Sequence, residues 1–400
     1  MNKERLDDIV DVLGEQFAKT ENTFVIRNQQ ELVKFINEPE KWKAQQMANM
    51  RKYKGILIAN ARKSIKEINA FTEKVYLLAY QEINKEQIEI TKTEIKGEIP
   101  KSYADKIKNA KAENIKQILM LSNVAFQTHK QTVQIIDALS TPDNLYNTIK
   151  QYSQKGIENG LKINTAGQTG KVRQWSFKAY MEMKVRTTVH NEMVGEQIQA
   201  GADVDQVFYI CDSFGDSAPD HEHYQGRIYY NAETKIPKEI EKIIVERKIL
   251  SMQEVSGGDI KLTTRWNCRH NFHAIPMLDA IGMTEEEIVK KENLSKGKYK
   301  DDNYALTQQQ RLNERTIRKY KLREEGNLKL YETTKDATFL EKANRSAQFV
   351  KKWQKENREL IKDNQALLKR NYDRENIRVV TQDLGVRYNT KNAQKQEQAT

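Results

Sequence analysis

Apolar residues recur at intervals of three and four along the first 150 positions. From Ile58 the series runs Ile58, Ala61, Ile65, Ile68, Val75 and Ala79, with Thr72 in the one gap, about six turns of a single helix face. Such a stripe predicts a long amphipathic helix resting on a core or on a partner helix. Prolines punctuate the region. Pro39, in Asn37-Glu38-Pro39-Glu40, stands where a helix can begin. Pro100 ends the Lys/Glu/Ile-rich segment before it, and Ser102 is placed to cap the next helix. Thr141-Pro142-Asp143 reads as a further cap with proline in the first turn.

The pattern then loosens between about 153 and 172, where Gly156, Gly160, Gly167 and Gly170 fall close together. Gly167-Gln168-Thr169-Gly170-Lys171 superficially echoes a phosphate loop. Only two residues separate its glycines, however, and no Ser or Thr follows the lysine, so it reads as a turn or hairpin. Residues 173–200 return to helical spacing, with Trp175, Tyr180, Met183 and Val194 as core positions. Near residue 203 the pattern changes to short strands, Val207 to Cys211 and Arg227 to Tyr230. Between them lies a polar loop, Asp212 to Gln225, holding Pro219, Asp220, His221 and His223. A charged helix is predicted over 236–254, a turn over Val255 to Asp259, and a third strand from Ile260 to Arg265 that runs into Trp266 to His273. Pro276 closes the unit. From about 284 to 376 the chain reads as helix again, and no repeat at solenoid periods is visible.

The fold class this predicts is mainly α with a small α+β middle domain. Its parts are a helical arm over 1–150, a helical connector over 151–202, the small α+β unit over 203–283, a basic helical region over 284–376 and a polar flexible tail over 377–400. Composition adds an expectation about packing. At 400 residues, 38% hydrophobic, 31% charged and mean hydropathy −0.82, the chain is long enough for two or three domains but polar for one large core. Long exposed helices beside a smaller packed domain are therefore expected. Six prolines and 17 glycines argue against collagen, Pro-rich disorder and sandwiches of many short strands. No apolar run approaches the ~18 residues of a membrane span. The charged start, Met1 to Arg5, lacks the apolar stretch of a secretory signal, so a cytoplasmic setting is expected.

Charge sharpens the last quarter of the chain. Of the net +11, residues 301–400 supply +7, with 22 Lys and Arg against 15 Asp and Glu. Arg311, Arg315, Arg318, Lys319, Lys321 and Arg323 cluster at the start of that region, where they are placed to neutralise phosphates of a nucleic acid. A solvated or partner-facing helix would carry the same run.

The dense chemistry lies elsewhere. Four of the six histidines and both cysteines fall between 211 and 273. Two cysteines make no disulfide framework, but thiol and imidazole together are the donors zinc prefers in fours. Cys211, His221, Cys268 and His270 are the candidate set for a structural zinc, with His223 and His273 in reserve. Neither Cys-x9-His nor Cys-x-His is a standard finger spacing, so packed or hydrogen-bonded residues of a small β core stand as the alternative. Catalytic readings are thinner. His221-Glu222-His223 is not the His-Glu-x-x-His of a zincin, and His190-Asn191-Glu192 lacks the Cys-x-x-Cys a zinc deaminase needs. A metal-dependent nuclease using His270, Asn271 and His273, with Asp220 or His221 assisting a water, is the best enzymatic alternative. A Cys268 and His221 nucleophile pair has only composition behind it.

Four segments in order carry a family resemblance. They are Tyr180 to Thr188; Asp216 to Tyr229, with His221 four residues before Gln225-Gly226; Asn267-Cys268-Arg269-His270; and Tyr304 to Lys321. Together they resemble the minor capsid protein 2 family of tailed bacteriophages, itself similar to Mu-type head morphogenesis proteins. Gln225, Gly226, Asn267 and Arg269 fall on its motif. The resemblance implies a structural, non-enzymatic virion component present in few copies, attached to the portal protein inside the head, and in the host cytoplasm during assembly. Roles in head assembly and in DNA packaging or delivery follow, with the major capsid protein and genomic DNA as further partners. The alternative is a phage-encoded metal-dependent nuclease or toxin-like effector carried in the head. A cytoplasmic nucleic-acid-binding scaffold is the third.

Overall fold

The structure, a computed structural model, describes residues 3–91, 101–141, 143–166, 172–203, 205–257, 260–264, 268–277, 280, 282 and 300–376. It is mainly α with a small α+β middle, as the periodicities predict. Four helices open the chain: α1 (Lys3–Val33), α2 (Pro39–Thr91), α3 (Lys101–Leu139) and α4 (Leu145–Asn159). The hairpin β1 (Lys162–Ala166) and β2 (Val172–Ser176) precedes α5 (Phe177–Ala202). The middle region holds β3 (Phe208–Cys211), a 3-10 turn (Pro219–His221), β4 (Ile228–Tyr230), α6 (Lys238–Glu246), α7 (Met252–Ser256) and β5 (Phe272–Ala274). Helices α8 (Asp301–Thr334) and α9 (Ala337–Asp363) follow, and a 3-10 turn (Asp373–Glu375) closes the described chain.

The long helices are not exposed arms. Their stripes meet in two apolar clusters. One joins α1, α2, α3, β1 and α5 through Phe17, Phe24, Leu57, Ile68, Val75, Leu121, Ile163, Phe177 and Met181. The other joins α1, α2, α3, α4 and the α8–α9 pair through Leu32, Trp42, Ile136, Ile149, Ile157, Leu330 and Phe339. The average hydropathy misled because it counts the charged outer faces of long helices, whereas burial depends on the stripe alone. Helix α1 is central, and its buried side includes polar residues that are tied rather than exposed. Asn28 Nδ2 donates to Ala125 O (2.9 Å), and Glu21 Oε1 accepts the Phe177 N–H at the start of α5 (3.2 Å).

Local details revise several expectations. Ser102 lies inside α3 rather than at its cap, and the cap of α4 is Asn144, whose Oδ1 accepts the Thr141 N–H (2.8 Å); Pro142 lies outside the described residues. Trp175 sits on β2 and not on a helix, because α5 starts only at Phe177, capped by Ser176 Oγ on the Ala179 N–H (3.3 Å). The hairpin expected near Gly167 is present as the pair β1–β2, although residues 167–171 lie outside the described residues. The single helix expected over 236–254 is two, α6 and α7, divided at Lys248, whose φ is 51°. Residues 260–264 form turns, not a strand, and the third strand is β5. The helical region expected over 284–376 is helical where it is described, as a hairpin of two helices: Lys335 ends α8 at φ 60°, and Asp336 caps α9 on the Thr338 N–H (2.9 Å); residues 284–299 lie outside the described residues.

The small sheet has the order β4-β3-β5 and is antiparallel throughout, pairing Tyr209 with Tyr229 on one side and Ala274 on the other. Strand alternation decides its two faces. Tyr209 and Cys211 face a cluster with Val194 of α5, Met252, Val255 and Phe272. Phe208 faces the other way, onto Ile228, Ile240, Ile244 and Ile249.

Candidate functional site

The site forms where the 3-10 turn after β3 meets the extended segment before β5. Cys268 and His270 are two residues apart in that segment, which places their side chains on one side of an extended chain. His221 comes to them from the turn. Cys268 Sγ lies 3.4 Å from His270 Nδ1 and 3.7 Å from His221 Nδ1, and all three residues are buried. The outer ring nitrogens are held by oxygens: His221 Nε2 by Ile260 O (3.2 Å) and His270 Nε2 by Gln225 Oε1 (3.0 Å). That Gln225 oxygen also accepts the Phe214 N–H (2.8 Å). The Thr263 N–H donates to Cys268 Sγ (3.2 Å).

Gly226 makes this arrangement possible. Its φ is +69°, a conformation that costs glycine little, and its N–H reaches both Cys211 O and Asp212 O (3.2 Å each). The chain thus reverses into β4 immediately after Gln225, with the Gln225 side chain directed inward, fully buried.

Of the four candidate zinc donors, three converge. Cys211 does not: the period of β3 turns its side chain into the apolar cluster with Tyr229 and Phe272. Burial, aided by Asp212 and Cys268, pushes its thiol well above the ordinary range. Neither reserve takes its place. His223 is exposed beside Glu222 (3.4 Å), and His273 pairs with Asp212 Oδ1 (3.0 Å). Asp212 also accepts the Asn271 N–H (3.1 Å), so Asn271 and His273 serve a clamp on the far side of the strand from His270. The His270, Asn271 and His273 set of the nuclease reading is therefore split between two sides. Cys268 and His221 do meet, as the nucleophile-pair reading needs, but in a buried place. Arg269 is half-buried, and Asn267 lies outside the described residues.

The basic run of α8 divides likewise. Arg315, Arg318, Lys319 and Arg323 line a cleft of about 400 Å³ together with Lys162 of β1, facing Glu21 and Glu158. Arg311 and Lys321 do not line it; Lys321 Nζ donates to Asn376 Oδ1 (3.0 Å), and Arg318 also donates to Arg374 O. Burial first, then the charges of Arg323 and Lys162, lower the affinity of Lys319 for its proton. Lys162 had no signal in the sequence, being some 150 positions away from the run it joins.

The fold is that of a helix-rich protein with a small α+β unit tied by a buried Cys/His group. The family model described as phage minor capsid protein 2 matches residues 1–362, nearly the whole chain, and the chain belongs to that family. It is a structural protein of the phage head and a component of the virion. Neither the comparison with curated proteins nor that with solved structures gives a match. No helix among the described residues is long and apolar enough to cross a membrane.

Proposed function

We propose that the protein sits at the portal inside the head, in few copies, helping to assemble the particle and touching the packaged genome. The observation that carries the non-enzymatic part is the burial of the Cys/His group: Cys268, His221 and His270 are 7%, 2% and 3% exposed. Side chains so enclosed brace a fold more readily than they reach a nucleic-acid substrate. For a protein partner, α3 offers Ile115 and Leu119, one turn apart and 39% and 43% exposed. For the genome, the cleft of Lys162, Arg315, Lys319 and Arg323 offers positive charge beside backbone-sized space.

Protein content of intact and DNA-emptied particles tests location and copy number. A ratio far below that of the major capsid protein, with co-purification of portal and full-length chain, is expected; absence from particles, or no portal association, overturns the reading. Truncating 1–150 is not a usable test, because α1 is central to the core; Leu119→Glu on the full chain is. It is expected to weaken portal association without lowering stability. For DNA, the full chain should bind without sequence preference, with a log–log salt slope of about −0.9 per phosphate neutralised. Salt-independent binding, or an unchanged slope in Arg315→Glu/Lys319→Glu, counts against the cleft.

A further inference from the structure

Both imidazoles of the Cys/His group are fixed in one tautomer by what holds their outer nitrogens. Ile260 O is a carbonyl and can only accept, so His221 Nε2 is the donor there. Gln225 Oε1 is identified as the oxygen by the Phe214 N–H it already accepts, so His270 Nε2 donates too. In the neutral rings Nδ1 then carries a lone pair, and both Nδ1 atoms are directed at a single sulfur. Such outer-nitrogen hydrogen bonds to an oxygen are what orient histidines toward a metal.

The spacing fits as well. With Zn–S of about 2.3 Å and Zn–N of about 2.0–2.1 Å, tetrahedral coordination sets sulfur and nitrogen about 3.5 Å apart. The two distances here are 3.4 and 3.7 Å, and the three donor atoms lie within 4.8 Å of one another. The Thr263 N–H to Cys268 Sγ would stabilise the sulfur as a thiolate. We propose that His221 Nδ1, Cys268 Sγ and His270 Nδ1 bind one zinc ion, with Gln225, Ile260 and Thr263 as the positioning groups. Binding displaces the thiol proton to solvent, and the fourth coordination position is filled from outside these three. Mixed thiolate and imidazole donors select zinc over the oxygen-seeking cations. The ion would pin the 3-10 turn to the segment entering β5, so the small unit gains a cross-link that its short strands lack.

Metal content and a cobalt replacement test this on the full-length chain. About one zinc per chain, and no comparable iron or copper, is the expected result. Cobalt added to the chelated protein should give a thiolate-to-cobalt charge-transfer band and the strong visible bands of a four-coordinate site. Cys268→Ser should lose the charge-transfer band while Cys211→Ser and His273→Asn keep it. His221→Asn and His270→Asn should each weaken zinc affinity by at least tenfold. If a variant fails to fold, the wild-type metal content and cobalt spectrum still decide. No bound metal, iron or copper in place of zinc, or a band that depends on Cys211 instead of Cys268, overturns the proposal.

Discussion

The helical body and the small sheet region are both buried, but by different means. The body joins α1 to α5 with α8 and α9 and hides large apolar groups such as Trp42, Phe17, Phe24 and Phe339. The sheet region has strands of three and four residues; it packs smaller apolar clusters on its two faces and adds directed polar contacts around Cys268, Gln225 and Asp212. Large helices can spread burial along many turns; three short strands cannot, so specific ties carry more of the load.

The largest expected effect lies in the body. Trp42 is fully buried and donates from Nε1 to Leu32 O (3.0 Å), so Trp42→Ala should cost about 3–5 kcal/mol in denaturant unfolding. A loss under about 1 kcal/mol would mean the helices are held by something other than apolar burial.

Next comes a pH effect in the same body. His129 packs against Tyr53 with ring centroids 4.6 Å apart and the rings tilted by 55°, and burial, opposed by its hydrogen bond with Asn28, lowers its pKa to about 4. The unfolded chain takes up a proton below about 6.5 that the folded chain refuses. Stability is therefore intact above that pH and should fall by roughly 3 kcal/mol as pH drops to about 4. His129→Gln should flatten that slope in unfolding curves measured between those limits. An unchanged slope would place the acid sensitivity elsewhere.

The sheet region should answer to a smaller, local change. Gln225→Ala leaves the Phe214 N–H and His270 Nε2 without their shared acceptor, a cost of about 2 kcal/mol. Hydrogen exchange should quicken over 212–225 and 268–274 while the core amides of α1 and α3 stay protected. Equal loosening of both regions would mean that the Gln225 contacts also hold the helical body. The smallest effect is expected on the outer face of α9, where Lys355 and Glu359 are 71% and 60% exposed. Lys355→Ala should change stability by less than about 0.5 kcal/mol.

Much of this was legible in the chain. The 58–79 stripe marks a real buried face because a long helix repeats its period often enough to stand out: Ala61, Ile68, Thr72 and Val75 are all buried. Cys-x-His was legible as a pair because an extended segment puts alternate residues on one side. The same alternation, applied to Val207 through Cys211, would have turned Cys211 toward the core and out of the ligand set. The hairpin bend at Lys335-Asp336 was easy to miss, since it uses neither glycine nor proline and its one mark is the cap residue Asp336. The cleft was half legible: α8 showed its charge, whereas Lys162 joins it only through tertiary packing.

Among the described residues two helices run between the regions, and their number matters. Helix α5 begins in the body at Phe177 and Met181 and ends beside the sheet at Val194, where Asn231 Nδ2 donates to Ile198 O (2.9 Å). Helix α8 begins at the sheet region, with Asn303 Nδ2 on Gly215 O (3.0 Å) and Thr307 Oγ1 on Asp216 Oδ2 (3.1 Å), and reaches the body at Leu330. A single strut would leave its load free to swivel about the strut's axis. Two struts with separate footings remove that rotation, and the 34 residues of α8 set a span of about 50 Å that can shorten only by breaking helix. A pull or push delivered at the sheet end therefore arrives at the body as a displacement of the whole frame rather than as a local bend.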